Sequence, residues 1–246
     1  MKTRLIFIRH AQAEGNLTRF FHGWTDSALT DLGHKQAGLA AKRLKGENIS
    51  AIYSSPLKRA VQTAEYISEE TGINIRIDEN LKEINGGDWE CQPFSDLPVK
   101  WPEEYDTWEN KPHLHTMPNG ESMIYFQNRL LSGVNEILNR NAGKSICIVT
   151  HGTSIKALLC HFMECGLEKM SLIKWSDNTA ITKVMHFQGS WEVESDGDSS
   201  HLGREYSTIL NQPWWEEYIK ELELKRTAAR FQVKASDNRM AGTGGK

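Results

Sequence analysis

Four side chains in this sequence have the types and settings for chemistry on an anion. Arg9 and His10 close the apolar run Leu5-Ile6-Phe7-Ile8, and His151 closes the run Ile146-Cys147-Ile148-Val149-Thr150. Arg59 lies just inside the segment that begins Ser55-Pro56-Leu57. In open parallel sheets, ligands bind beyond the carboxyl ends of the strands. If the two apolar runs are neighbouring parallel strands, His10 and His151 reach the same edge. A helix N-terminus offers free N–H groups and partial positive charge, and arginine adds planar, paired donors, so both suit phosphate oxygens. Two arginines and two histidines around one point form a pocket for a phosphoryl group. No aspartate cluster accompanies the histidines, so no metal set is expected. Chemistry there needs a nucleophile and an acid. A neutral imidazole can attack phosphorus, adjacent cations hold it neutral, and a carboxylic acid must protonate the leaving oxygen. Glu83, in LKEINGGDWE, is the candidate acid; its alternative role is an ordinary exposed loop carboxylate.

The elements that must place these groups follow from periodicity and punctuation. Strands are expected over Arg4–Ile8, Ile49–Ser55, Ile73–Asp78 and Lys144–Thr150. Helices are expected over Thr30–Gly46, Ser55–Gly72, Gly120–Arg140 and Gly152–Met163, with Ser55 as N-cap, Pro56 in the first turn and Gly72 past the end. Ala11 to Thr30 is expected to be a loop. Thr179–Phe187 and Ser190–Ser195, joined at Gln188-Gly189, are expected to form an antiparallel edge hairpin. Strands alternating with helices predict a three-layer α/β/α fold with a mostly parallel sheet and an antiparallel edge. Residues 82–119, rich in proline and tryptophan, are expected to be an irregular loop that covers the site as a lid. Trp89, Trp101, Tyr105 and Trp108 there either pack the loop or stack on a ligand, with packing the better expectation. Lys100, Lys111, His113 and His115 are candidates to read a second anionic group. An amphipathic helix is expected from Pro213 to Phe231, packed on its own domain or on a second copy as a homodimer. A polar, disordered tail is expected from Lys234 to Lys246. The domain division is thus 1–204 and 205–246.

Composition removes several classes. A formal charge of -3 over 246 residues predicts no general affinity for nucleic acid or an anionic membrane. No apolar stretch is long enough to span a bilayer, and the N-terminus reads as a strand rather than a leader. The four cysteines, Cys91, Cys147, Cys160 and Cys165, lack zinc spacing and read as reduced thiols of a cytoplasmic protein.

The run RHAQAEGN resembles the R-H-G-E-T-x-x-N signature of the histidine phosphatase superfamily, the phosphoglycerate mutase-like fold. The resemblance continues in the family's order through FFHGWTDSALTDLG, YSSPLKRAVQTAE, LKEINGGDWE, PNGES and VTHGTSIKALL, over residues 3 to about 202. It implies His10 as phosphorylated nucleophile, Arg9, Arg59 and His151 as phosphate pocket, and Glu83 as proton donor and then base for water. It places Asn16, His22 and Gly23 at the substrate or phosphoryl group and makes Gly152 a backbone donor. It implies no metal or cofactor and a small phosphorylated metabolite as partner. Ala11, Gln12 and Ala13 replace the family's glycine, glutamate and hydroxyl residue, and Cys91 stands where W-E-G ends in glycine. Ala11 would crowd the phosphate if its position required positive φ. Mutases of the family carry R-H-Y-G after the acid and H-G-N-S-L-R at the second histidine. INGGDWE and HGTSIK resemble the phosphatase branch. The expectation is therefore a metal-independent phosphatase. Mutase-type phosphoryl transfer is one alternative, and a weakly active or inactive phospholigand-binding member is another.

Overall fold

A computed structural model describes residues 1–241, with side chains through residue 229. In chain order the elements are β1 (Thr3–Arg9), α1 (Glu14–Thr18), α2 (Asp31–Arg43), β2 (Ile49–Ser54), α3 (Lys58–Thr71), β3 (Ile75–Ile77), α4 (Leu97–Lys100), α5 (Pro102–Asn110), α6 (Met123–Arg140), β4 (Ser145–Thr150), α7 (Gly152–Phe162), β5 (Ile181–Phe187), β6 (Ser190–Asp198) and α8 (Trp215–Ala241). The sheet order is β3-β2-β4-β1-β5-β6. The first four strands of that order pair in parallel, and β5 and β6 close it as an antiparallel edge. The expected α/β architecture is the observed one.

Period-two alternation sorts the strand residues between two cores. Leu5 and Phe7 of β1 and Ile146 and Ile148 of β4 face a core with Phe126 and Leu130 of α6 and Leu158 of α7. Ile6, Ile8, Cys147 and Val149 face the opposite core, with Ala41 of α2 and Ala60, Ala64 and Ile67 of α3. The middle residues of both strands, Leu5–Ile8 and Ile146–Val149, are therefore all apolar, as strands buried on both faces must be.

The helix ends show where local punctuation decides and where it does not. Thr30 caps α2 by accepting from the Gly33 N–H at 3.0 Å, and Ser122 caps α6 through Tyr125 at 3.2 Å. Gly72 ends α3 in the left-handed region, at φ 71. Ser55 is not the cap expected for α3. That helix starts at Lys58, whose N–H donates to Asp26 at 2.7 Å, a carboxylate from a distant loop.

Three expected irregular regions carry structure. The loop after β1 contains α1, and residues 82–119 contain α4 and α5. Trp89 is fully buried and sits in the lid's aromatic cluster with Trp101, Tyr105 and Trp108. These rings pack the segment. Phe21 meets Trp89 edge-on at 5.6 Å, which ties the lid to the loop after β1. Helix α8 runs on into the expected tail as far as Ala241; the rest of that expectation, residues 242–246, lies outside the described residues. Its first turns pack on the chain's own domain through buried Trp215 and Leu222. No helix among the described residues is long and apolar enough to cross a membrane.

Removing the Trp89 ring leaves a cavity where the lid joins the core. Trp89→Ala is expected to lower unfolding stability by about 3–5 kcal/mol in urea titration.

Candidate active site

The pairing of β1 with β4 sets the centre. Arg9 lies opposite Thr150, so the next residues, His10 and His151, leave the sheet side by side. Their ring centroids are 5.2 Å apart. Both are buried, His151 completely. His10 Nδ1 lies 2.8 Å from the Ala11 carbonyl, which can only accept. Nδ1 therefore carries the proton, and Nε2 keeps its lone pair. His151 Nε2 is 2.8 Å from Ser55 Oγ, and its Nδ1 has no partner among the described residues. Ser55, expected as a helix cap, instead orients this imidazole.

Burial is the largest cause lowering the pKa of both histidines, and the Arg59 and Arg9 charges lower it further. Cations thus act as expected, but second to desolvation. Arg59 is almost fully buried, and among the described residues its side chain bonds to backbone carbonyls and to no carboxylate. Its NH1 donates to the Thr25 carbonyl at 2.9 Å and its NH2 to the Gly23 carbonyl at 2.7 Å. Burial pulls it down to about 10, so it stays charged at neutral pH. Arg9 NH1 donates to the Ser176 carbonyl, and Nε has no partner among the described residues. Carbonyls orient both guanidiniums without neutralising them.

Glu83 is buried, which excludes the exposed loop carboxylate. Oε2 accepts the Thr153 N–H at 3.0 Å, and Oε1 accepts Ile84 N–H at 3.0 Å. Burial, the largest cause, raises its pKa despite those bonds. Both Arg9 and Arg59 feel its charge, so it borders the same pocket.

The remaining expected residues surround this centre. Asn16 Oδ1 accepts the Ala13 N–H at 2.9 Å, and Asn178 Nδ2 donates to the His10 carbonyl at 2.9 Å. His22 packs on Gly15, where an added Cβ would lie 2.3 Å from its Nδ1; its charge reaches His10. A Cβ at Gly23 would strike the Ile84 carbonyl at 2.1 Å, so only glycine lets the two loops meet. Gly152 opens α7 beside Arg9. Three of the four groups expected to read a second anion have partners of their own instead. Lys100 pairs with Asp96, Lys111 with Asp106, and His115 is buried against Thr107 and Met117.

Of the departures, Ala11 lies outside the positive-φ residues, and its N–H donates to Thr63 Oγ1 at 2.9 Å. The crowding that positive φ would bring is absent. Gln12 is buried and donates to Thr208, linking the loop after β1 to the C-terminal segment. Cys91 does take positive φ, 60, a conformation that favours glycine.

Several supporting residues have roles that the sequence does not show, although Glu90 lies in the INGGDWE run. Arg129 of α6 pairs with Glu121 and donates to the carbonyls of Asn80, Lys82 and Glu83, fixing the backbone of the acid. Glu90 accepts from the N–H groups of Gly23, Trp24, Thr25 and Gly86 and so holds the loop that clamps Arg59. Asp177 accepts from Ser207, Thr208 and Ile209 and opposes the Arg9 charge. Each lies in a segment whose composition is ordinary for a helix or loop; only distant backbone makes it special.

Paired imidazoles, two arginines and a buried acid at the carboxyl edge of a parallel sheet define an α/β protein built around an oxyanion pocket. The sequence matches the histidine phosphatase superfamily (branch 1) over residues 5–199, and the chain belongs to that family. It is 31% identical to phosphoserine phosphatase 1 of Hydrogenobacter thermophilus over 188 residues, 75% of this chain and 87% of that protein. It is 29% identical to a protein of Yersinia enterocolitica named a probable phosphoglycerate mutase, over 81% of this chain and 94% of that one. Among solved structures, Bacillus stearothermophilus YhfR superimposes with a TM-score of 0.78 at 34% identity, over 81% of this chain and 99% of that one. Phosphoserine phosphatase of Entamoeba histolytica, solved with 3-phosphoglyceric acid, gives 0.73 at 30% identity, covering 81% and 99%.

The lowered histidines make stability depend on pH. Folding excludes protons that the unfolded imidazoles bind below their ordinary value of 6.5, so stability is full above that value and falls as pH drops below it. Raised Glu83 acts oppositely: its contribution is full below 4.5 and lost as pH rises. Two histidines outweigh one acid, so unfolding free energy should fall between pH 6.5 and 5.5. The slope is expected to reach about 1.4 kcal/mol per pH unit for each histidine. His151→Asn should flatten it in denaturant titrations at stepped pH.

Proposed function

We propose that this family member hydrolyses small phosphomonoesters through a phosphohistidine at His10. One observation carries the reading: His10 is held by a proton on Nδ1, leaving Nε2 unprotonated beside His151 in a pocket with two arginines oriented by backbone carbonyls. In the first step the Nε2 lone pair forms a bond to phosphorus, and the bond from phosphorus to the ester oxygen breaks. Protonated Glu83 gives its proton to that leaving oxygen. Arg9, Arg59 and His151 hold the non-bridging oxygens as charge builds on them. In the second step water attacks phosphorus, Glu83 takes the water's proton, and the bond to nitrogen breaks. Inorganic phosphate and the free imidazole result.

The raised pKa of Glu83 fits the first role, because a buried carboxyl keeps its proton longer than an exposed one. Phosphatase-named relatives and the INGGDWE run after the acid support hydrolysis over mutase transfer, which the Yersinia relative's name keeps as the second reading. An unstrained Ala11 supports activity over a binding-only role. The names of the relatives point to phosphorylated three-carbon acids as substrates. We take residues 1–204 as the catalytic domain, and the four free thiols fit a reducing compartment such as the cytoplasm.

The test is phosphate release from p-nitrophenyl phosphate and 3-phosphoglycerate. His10→Ala should abolish release from both, and Glu83→Gln should lower kcat by about 10²–10⁴. Brief reaction followed by denaturation should leave acid-labile, base-stable phosphate on the wild type and none on His10→Ala. Conversion of 3-phosphoglycerate to its isomer, without free phosphate, would establish the mutase reading instead.

A further inference from the structure

Residues 176–180 run antiparallel to the end of β1. The Thr179 N–H donates to the Arg9 carbonyl at 3.0 Å, and the Arg9 N–H donates to the Ala180 carbonyl at 3.2 Å. Asn178 lies inside this segment and is fully buried. Its Nδ2 is 2.9 Å from the His10 carbonyl and 3.4 Å from Asn16 Oδ1. Neither oxygen can donate, and Asn16 Oδ1 already accepts the Ala13 N–H. The amide must therefore present its NH2 to both. Its own Oδ1 is left buried with no partner among the described residues. An unpaired buried acceptor lowers stability, so the donors are the part of this side chain that the site uses.

The first bond holds the peptide that carries the nucleophile. The His10 N–H donates to the Thr150 carbonyl at 2.9 Å, the His10 carbonyl accepts from Asn178, and the Ala11 N–H donates to Thr63 Oγ1 at 2.9 Å. The Ala11 carbonyl, at the far end of this stretch, accepts the His10 Nδ1 proton. Turning the peptide between His10 and Ala11 would move that carbonyl, and Nε2 with the ring. The second bond holds Asn16. With Oδ1 taken by Ala13 and Asn178, the orientation of that amide is set, and its Nδ2 donates to nothing among the described residues. Asn178 is itself seated from behind. Its N–H donates to Asp177 Oδ1 at 2.8 Å, and the same carboxylate accepts from Thr208 and Ile209.

We propose that Asn178 is a positioning residue for phosphoryl transfer: its one amide aims His10 Nε2 at phosphorus and turns Asn16 Nδ2 toward a phosphoryl oxygen. This rests on the hydrolysis proposed above and deepens it. Attack on phosphorus needs the lone pair in line with the bond that breaks, and a displacement of about 1 Å can slow such a step about 10²-fold. A tilted imidazole leaves Arg9, Arg59 and His151 in place for the phosphoryl oxygens. Ester binding therefore depends on Asn178 less than the chemical step does.

The test is Asn178→Leu, which keeps the branched outline of the side chain and removes both donors. With p-nitrophenyl phosphate, kcat should fall about 10²-fold while KM stays within about threefold. In single-turnover reactions the rate constant for phosphorylation of His10 should fall by the same factor. A smaller phosphorylated fraction at an unchanged rate constant reports unfolded protein and overturns the proposal, as does an unchanged kcat or a loss confined to KM. The losses from Asn178→Leu and Asn16→Ala should combine to less than their product, because the two residues share a hydrogen bond. Losses that multiply overturn the link through Asn16. If Asn178→Leu does not fold, NMR of Asn16→Ala decides: one of the two Asn178 side-chain amide protons should shift as it loses its acceptor, and two unmoved signals overturn the shared hold. If the wild type releases no phosphate, the hydrolysis reading fails separately. The Asn16→Ala spectrum, which needs no turnover, then tests the hold by itself.

Discussion

Parallel pairing of β1 with β4 is the constraint on which the site depends. It matches Arg9 to Thr150, so two imidazoles leave the sheet as neighbours, their centroids 5.2 Å apart. A shift of one residue in either strand would turn every side chain to the opposite face and separate the pair. Apolar residues on both faces make that shift expensive. Ile6 and Ile8 fit the α2–α3 core, and Leu5 and Phe7 fit the other. The precision of the polar centre is therefore secured by apolar packing on either side of it.

Positive charge is then concentrated in a place that water barely reaches. Two arginines and two histidines share the pocket, and the bonds that orient the arginines come from backbone carbonyls. A carbonyl directs a guanidinium as a carboxylate would but leaves its net charge to act on whatever enters. The same field and the same burial keep both imidazoles unprotonated. Glu83 lies close enough for its charge to act on both arginines, and burial raises its pKa. One buried environment thus acts in opposite senses, lowering the pKa of the two imidazoles and raising that of the carboxyl.

The C-terminal segment joins this centre at two places. Gln12 donates to Thr208, and Asp177 gathers Ser207, Thr208 and Ile209 behind Arg9. Tyr218 holds the backbone of Trp175, whose ring rests on Gly152. Gln12, a departure from the family pattern, is thereby part of a local exchange: a neutral amide suits a neighbour with a hydroxyl. Cys91 is the departure with a backbone cost, since its φ of 60 is one that glycine adopts freely. Nothing in the structure explains why cysteine stands there.

The sequence by itself determined the α/β class, the strands that carry His10 and His151, and the identities of Arg9, Arg59 and Glu83 as groups for one pocket. It could do so because strand burial and helix periodicity are local, and because residue types with strong chemistry are rare at strand ends. Tertiary structure alone decided what those groups touch. Ser55 looked like a helix cap, but its hydroxyl meets His151, and the cap of α3 comes from Asp26. Arg129, Glu90 and Asn178 were illegible because their partners are main-chain atoms or side chains far along the chain. A backbone carbonyl is the same at every residue, so composition cannot mark the one that a distant arginine will reach. Helices α4 and α5 were hidden for a related reason: the lid is prolines and tryptophans without clear period, and burial of Trp89 against Phe21 orders it only once the core exists.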